Sequence, residues 1–264
     1  MGSIISFPQV GPNLASEIEL SDVSYDSFLS DNNPVNLNFS RISDTDILKM
    51  CNQLKPKLSS GVDFISNKLL KHISPIIITP LHYLINLSLE SGYIPSELKI
   101  ARIVPIFKDG DSHSYTNYRP ISLISSFAKL LEKIVSKQLV GFLAAHNIIY
   151  KHQYGFRTNH NTSHPVLHFT DKIYNALHQK PPPAITLSIF VDLKKAFDTV
   201  NHEILLKKME HYGVRGTSNV WFHNYLSERE QFVCLDAAQS DRNKITSGVP
   251  PSLCSWTLLF LIFT

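Results

Sequence analysis

The feature that most constrains the fold of this chain is the run ITLSIFVD at residues 185–192, which alternates in polarity and ends in a carboxylate. Successive side chains of a strand point to opposite faces, so one face would be packed and the other mostly small and polar. The packed face would consist of Ile185, Leu187, Ile189 and Val191. The run predicts a strand that presents Asp192 to an open cleft, although a lone aspartate at a strand end more often only caps the following turn.

Composition and charge leave several functional classes open. The 264 residues are 43% hydrophobic and 18% charged, which is typical of a folded protein with a sizeable core. The net charge is +3 and the sequence pI is about 8.6, short of the value above about 9 typical of a dedicated nucleic-acid-binding domain. A polyanionic partner is therefore permitted but not required. The cysteines Cys51, Cys234 and Cys254 form neither a disulfide framework nor a zinc-ligand spacing, which favours a reducing intracellular setting.

The chain divides by pattern into three segments. Residues 1–40 are rich in Ser, Asn, Asp and Pro and are expected to form an irregular leader without a secretory signal. Residues 41–98 carry helical periodicity, and residues 99–264 mix helices and strands. The apolar run from Trp256 to Phe263 is shorter than the about 20 residues needed to cross a bilayer. We therefore predict a buried element there and no membrane partner.

Local signals predict the secondary structure. Helices are expected where apolar residues recur at three and four: from Ser43 onwards and over residues 75–90, 127–142, 165–178, 201–212 and 218–226. Besides 185–192, strands are expected over residues 100–106, 231–236 and 242–248. The first of these runs into Asp109-Gly110, a strong hairpin-turn signal. The elements do not alternate regularly as β-α-β units, so the fold class is predicted to be α+β.

His160, His164 and His168 follow one another at intervals of four, a spacing that suggests zinc ligands. Pro165 argues against a metal site, because proline favours the first position of a helix and His160 would then lie outside it. The role of Tyr154 and Phe156 in the neighbouring QYGFR block stays open between core packing and stacking.

Several blocks of the sequence resemble the reverse transcriptases of non-LTR (LINE-type) retrotransposons. The block FVDLKKAFDTVNHEIL resembles motif A of that family. Further blocks resemble it in order and in spacing over roughly residues 8–250: GVDFISNKLLK, IPSELKIARIVPIFKDGDSHSYTNYRPISLISSFAKLLEKIV, YKHQYGFRTNHNTSH and YLSEREQFV. A likeness shared by several separate blocks is far more specific than one short motif.

The resemblance implies a fold and an organisation. Residues 99–264 would form the fingers and partial palm of a right-hand polymerase, with the thumb absent, after a helical segment at 41–98 and a connector at 1–40. In motif A, Asp192 would be the catalytic metal ligand and Leu193 would offer its backbone oxygen to Mg²⁺, a cation that prefers oxygen ligands. Phe197 would be a steric gate whose ring fills the space of a ribose 2′-hydroxyl. That gate disfavours the alternative of an RNA-dependent RNA polymerase.

The resemblance also implies binding residues and partners. Lys108 and Arg119 would hold the triphosphate of an incoming deoxynucleotide, although a surface lysine and a loop-anchoring arginine are the ordinary alternatives. Arg157, Gly248 and Pro250 would contact the template or primer. The partners would be an RNA template, a DNA primer and a deoxynucleoside triphosphate, in the nucleus or cytoplasm.

The chain departs from the family after residues 247–250, where SGVP is followed by PSLCSWT instead of the expected QGS and LGP. We hypothesise two compensating frame shifts across Pro251 to Thr257. No Tyr/Phe-x-Asp-Asp sequence occurs in the 264 residues. We therefore expect a catalytically incomplete reverse transcriptase piece, with a non-catalytic nucleic-acid-binding fragment as the alternative. An incomplete palm should also leave a sheet edge and apolar surface exposed, including Trp256 to Phe263.

Overall fold

A computed structural model describes residues 27, 29, 33–114, 117–157, 159–178, 185–193, 196–235, 238–249 and 254–263, the last range with side chains from 259 to 263. Helices and one mixed sheet make up this part of the chain. The predicted α+β content is confirmed. Among the described helices, none is both long and apolar enough to span a membrane.

The helices carry the main core. In chain order they are α1 (Asp44–Asn52), α2 (Asn67–Ile73), α3 (Ile78–Ser91), α4 (Ser126–Ala145), α5 (Ser163–Leu177), α6 (His202–His211), α7 (Thr217–Leu226) and α8 (Cys254–Phe263). Ser43 caps α1 by accepting a hydrogen bond from the amide of Asp46, as its sequence predicts. Helix α5 begins at Ser163, two residues before the predicted Pro165, because the Asn161 side chain accepts hydrogen bonds from the first amides of the helix.

The sheet combines antiparallel and parallel pairs. Its strands are β1 (Ile100–Phe107), β2 (Tyr118–Leu123), β3 (Arg229–Leu235), β4 (Ala238–Gln239) and β5 (Asn243–Ile245). Strand β1 pairs antiparallel with β2 and parallel with β3, while β4 and β5 both pair antiparallel with β3. The strands predicted at 231–236 and 242–248 thus form, with shifted ends.

The hairpin predicted at Asp109-Gly110 forms with a longer connection than the dipeptide suggests. Strands β1 and β2 pair in register, but the connection runs from Lys108 to Asn117. The Lys108 amide donates to the Asn117 carbonyl at 2.8 Å, and the Asn117 side chain donates to the Asp111 carbonyl at 2.9 Å. These internal hydrogen bonds stabilise a long loop where a two-residue turn was expected.

The prediction of a packed strand at 185–192 is wrong for this structure. Residues 185–193 have no regular secondary structure, and the four side chains expected to be packed are 80–98% exposed. A strand is stable only when its backbone groups pair with a neighbouring strand. No described strand lies beside this segment in the sheet order, so its alternating pattern has nothing to pack against.

The C-terminal apolar run forms helix α8, and the exposure expected for its last residues is wrong. Leu259 is 2% exposed and Ile262 is 5% exposed, and both belong to the main hydrophobic core. Phe260 and Phe263 pack against the same core. The core also contains Trp221, so helix α8 covers apolar surface that was expected to be exposed.

A charged cluster is buried at the junction of α4, α7 and β3. The Glu132 carboxylate accepts a hydrogen bond from the Tyr225 hydroxyl, and the Arg229 guanidinium lies 4.4 Å from the centre of the Tyr225 ring. Glu132, Lys129 and Arg229 are 3%, 9% and 1% exposed. Burial lowers the pKa of Lys129, and the charges of Glu132 and Asp63 oppose that shift. The Glu132 carboxylate therefore stabilises the buried Lys129 cation.

Candidate functional site

Asp192 and Leu193, the predicted metal ligands, lie in the exposed segment 185–193. The Asp192 carboxylate is open to solvent rather than sealed in apolar packing. A carboxylate and a backbone carbonyl are oxygen donors of the kind that Mg²⁺ prefers. Among the described residues, no group of three or more histidines, cysteines or carboxylates could hold a metal ion. The Asp192 carboxylate and the Leu193 carbonyl thus fit Mg²⁺ in kind.

Phe197, the predicted steric gate, lies in a cluster of aromatic rings. Its ring centre is 4.6 Å from that of Phe260 on α8 and 6.3 Å from that of Phe156. The ring is half-buried at the edge of the main core. Phe156 therefore does take part in ring packing, and the motif A turn contacts both the QYGFR block and helix α8.

The turn after motif A is held against the SGVP block by backbone hydrogen bonds. The Val249 amide donates to the Phe197 carbonyl at 2.8 Å, and the Gly248 amide donates to the Val200 carbonyl at 2.8 Å. The Ser247 hydroxyl donates to the Asp198 carbonyl at 3.2 Å. We call residues 197–202 together with 247–249 the docked loops. Two segments almost fifty residues apart in sequence thus form one surface.

Gly248 is required by the geometry of the docked loops. Its φ is +82°, a conformation that residues with a Cβ rarely adopt. A Cβ at this position would lie 2.8 Å from the Asp198 carbonyl oxygen and 2.9 Å from the Asp198 Cα. The position predicted to contact template or primer is buried, and the structure assigns it a packing role. Pro250, the next predicted contact, lies outside the described residues.

His202 is a site residue that the sequence reasoning missed. Asn201 caps helix α6 by accepting hydrogen bonds from the Glu203 and Ile204 amides. The next residue, His202, places Nε2 at 2.7 Å from the Gly248 carbonyl oxygen. Because a carbonyl only accepts, Nε2 carries the proton and donates. No local pattern reveals this contact, since its partner lies 46 residues away.

Burial lowers the pKa of His202, the Gly248 hydrogen bond opposes that shift, and the charge of Arg229 adds to it. The unfolded chain, in which a histidine pKa is about 6.5, then binds more protons below that pH than the folded chain does. We expect the free energy of unfolding to fall as the pH drops from 7.5 to 5.5. His202→Gln keeps an amide donor without titrating and should show a smaller fall. Urea unfolding of both proteins at pH 7.5 and 5.5 measures this free energy. An equal fall in the two proteins would show that His202 does not cause the pH dependence.

Lys108 and Arg119 lie at the loop end of the β1–β2 hairpin, and both are exposed. Arg119 is paired with Ile106, and the two-residue alternation of a strand puts residue 108 on the same face as 106. The two cations therefore share one face of the hairpin. The hydrogen bonds and ring contacts of Phe197 and Gly248 involve neither of them. The structure thus joins the motif A and SGVP blocks directly but not the hairpin cations.

Arg157, predicted to contact template or primer, stabilises its own loop. Its Nη1 donates to the carbonyls of Tyr150 and Gln153, at 3.2 Å and 3.3 Å. The side chain is half-buried, so part of the guanidinium faces solvent. The roles of Arg157 and of the other predicted site residues remain predictions.

Comparison with known proteins identifies the family of the chain. The family model described as "Reverse transcriptase (RNA-dependent DNA polymerase)" matches residues 106–260. The chain is 31% identical over 226 residues to the probable RNA-directed DNA polymerase from transposon BS of Drosophila melanogaster, covering 83% of this chain and 24% of that protein. It is 28% identical over 220 residues to the RNA-directed DNA polymerase from mobile element jockey of Drosophila funebris, covering 83% of this chain and 24% of that protein.

A third relative, the probable RNA-directed DNA polymerase from transposon X-element of Drosophila melanogaster, is 28% identical over 211 residues, or 77% of this chain and 22% of that protein. The chain thus spans about a quarter of the length of these relatives. The matched range contains the hairpin cations, the motif A block and the docked loops. This chain belongs to the reverse transcriptase family and contains a LINE-type reverse transcriptase domain of a retrotransposon.

Proposed function

We propose that this chain forms the fingers and part of the palm of an RNA-directed DNA polymerase and binds a primed RNA template. The observation that carries the proposal is the contact between the docked loops, because it places the turn after Asp192 beside the SGVP block. Two sequence blocks that resemble one polymerase family are thereby joined into one surface. Their shared surface supports a role in handling the nucleotide and the strands.

Six of the predicted residues are exposed or half-buried and take the following proposed roles, whereas Gly248 is packed and Pro250 lies outside the described residues. Asp192 and the Leu193 carbonyl would hold one Mg²⁺, which when bound stabilises charge on the transferring phosphoryl group. The Phe197 ring would lie against the nucleotide sugar, and Lys108 and Arg119 would neutralise its phosphates. Arg157 would offer its exposed part to a strand backbone, a contact that positions the strand without reading its sequence.

A specific observation favours the second candidate, a non-catalytic nucleic-acid-binding fragment. Two-metal transfer needs ligands for both ions, and the sequence offers Asp192 but no paired aspartates. It also carries Pro251, Ser252 and Leu253 where the family has Gln-Gly-Ser. Binding and catalysis must therefore be measured separately.

We expect the 264-residue protein to bind a primed RNA template and not to extend the primer. Binding through phosphates should weaken as salt rises, with a slope of log K against log [salt] near −0.7 to −0.9 per phosphate contacted. Asp192→Ala should leave this binding unchanged, because the carboxylate contacts no phosphate without a metal. Fluorescence anisotropy over a salt series measures binding, and gel analysis with Mg²⁺ and deoxynucleotides measures extension.

The outcomes separate the two candidates. Salt-dependent binding without extension supports the non-catalytic fragment for this length of chain. Primer extension that Asp192→Ala abolishes would show that the chain is catalytically complete. Absence of binding at any salt concentration would contradict both.

A further inference from the structure

Histidines are concentrated in one stretch of the chain, residues 150–178. Of the 12 histidines in the protein, five lie there: His152, His160, His164, His168 and His178. The same stretch contains Lys151, Arg157 and Lys172, whereas Asp171 is its single acidic residue. Its charge is therefore modestly positive when the imidazoles are neutral and strongly positive when they are protonated.

Four of these histidines and Tyr154 form a connected cluster of half-buried rings. The His152 and His168 rings are stacked, with centres 4.6 Å apart and planes 8° apart. The Tyr154 hydroxyl lies 2.9 Å from Nδ1 of His168, and its ring centre is 5.9 Å from that of His160. His160 in turn contacts His164 edge to face at 5.6 Å. We call His152, Tyr154, His160, His164 and His168 the histidine cluster.

The cluster is not arranged as a metal site. Parallel stacked imidazoles direct their ring nitrogens sideways rather than towards a common point. Consistently, no metal-binding group of histidines, cysteines or carboxylates is found among the described residues. The helix expected to begin at Pro165 begins at Ser163, so His164 and His168 lie on α5 and His160 lies before it.

The charges around the stacked pair are cationic. Burial lowers the pKa of His152, and the charges of His168, Lys151 and Lys172 lower it further. Arg157 lies in the same loop, and Asp171 is on α5 with Lys172 and is exposed. These surroundings disfavour the protonated form of His152 unless an anion lies beside the ring.

Resting on the proposed function, we propose that the histidine cluster is a proton-linked surface for single-stranded nucleic acid, with cationic imidazoles beside phosphates and ring faces beside bases. Phosphates favour the protonated form of a nearby imidazole, so binding takes up protons and strengthens as the pH falls. Half-exposed rings among cations are the arrangement with which proteins stack unpaired bases. The exposed Lys151 and Lys172 supply attraction that does not depend on pH.

Binding of a single-stranded oligonucleotide over a salt series at pH 8.0 and 6.0 tests this proposal. Proton uptake by the histidine cluster on binding adds cationic charge, so the slope of log K against log [salt] should be steeper at pH 6.0 than at pH 8.0, by about 0.7 for each added cation that meets a phosphate of a single strand. His152→Gln/His168→Gln should abolish the steepening and leave the pH 8.0 slope unchanged. The matched control is His72→Gln/His223→Gln, which removes two exposed imidazoles from α2 and α7 and should steepen like the original protein.

Three ligands define the chemistry recognised. If the salt slope steepens equally with RNA and with DNA at pH 6.0, the surface recognises the phosphates and bases that both strands share. If it steepens with RNA alone, the surface recognises the template strand. If inorganic polyphosphate of matched charge binds as well as RNA, the surface is a general polyanion site and the assignment to nucleic acid is overturned.

Failure of this inference is distinct from failure of the proposed function. The role of the cluster is overturned if the slope of log K against log [salt] in the unsubstituted protein is the same at pH 8.0 and pH 6.0. It is also overturned if that slope steepens equally in the unsubstituted protein and in His152→Gln/His168→Gln. In either case, salt-dependent binding of the primed template at pH 8.0 would leave the proposed function standing. Circular dichroism at both pH values verifies that every variant is folded.

Discussion

Glu132→Gln should lower the free energy of unfolding by about 3–5 kcal/mol, the cost of removing one partner from a buried set of charges. The substitution keeps the shape and an oxygen that can accept from the Tyr225 hydroxyl. It removes the negative charge that stabilises the buried Lys129, in a cluster whose Tyr225 ring also contacts the buried Arg229. Urea unfolding at pH 7.5, followed by circular dichroism, measures the change.

The matched control is Glu210→Gln, which makes the same chemical change on the exposed face of α6. An exposed substitution of this kind should change stability by no more than about 0.5 kcal/mol. A loss below about 1 kcal/mol for Glu132→Gln would mean that the carboxylate does not stabilise the buried Lys129 cation. Tyr225→Phe, which removes only the hydroxyl donor, should cost about 1–3 kcal/mol.

Gly248→Ala should destabilise the protein by at least about 2 kcal/mol, because strained backbone conformations cost about 1–3 kcal/mol before any clash is added. The new Cβ would meet backbone atoms of Asp198, which cannot move aside like the end of a flexible side chain. The docked loops would then separate and expose His202. Equilibrium unfolding in urea gives the size of the loss.

Gly141→Ala provides the same chemical change in a permissive position. Gly141 lies within α4, and a Cβ there meets nothing within 4 Å. Alanine is favoured over glycine inside a helix by about 0.5–1 kcal/mol, so this variant should be slightly more stable than the original protein. Equal urea midpoints for the two variants would show that the docked loops do not depend on glycine.

Elements that depend on local chemistry could be predicted from the sequence. Helix α4 was expected at 127–142 from its apolar periodicity and forms at Ser126–Ala145. Ser43 was expected to cap α1, and it does. In both cases the interacting groups lie within a few residues of each other, so the local sequence is enough to predict the helix and its cap.

Elements that depend on distant partners could not be predicted in the same way. The alternation at 185–192 is a strand pattern, yet the segment forms no strand because no described strand pairs with it. The Asp109-Gly110 signal marked the hairpin correctly but not its loop, whose hydrogen bonds to Asn117 span several residues. A local preference becomes structure only when a partner satisfies its backbone groups.

In the candidate site, too, local sequence identified the residues, whereas their distant contacts could not be predicted. The motif blocks and the resemblance identified the family and named Asp192, Phe197 and Gly248 as positions of interest. Neither suggested that Gly248 packs against Asp198 or that His202 donates to the Gly248 carbonyl.

By itself, then, the sequence determined the family through its motif blocks. It determined the mixed fold class and most helix positions through capping and periodicity, which act over short distances. Only the tertiary structure decided which segments meet: the docked loops, the buried Glu132 cluster and the ring stack of His152 on His168. The physical reason is that these contacts join residues between 16 and almost a hundred positions apart. Their stability depends on burial and geometry that the folded chain alone creates.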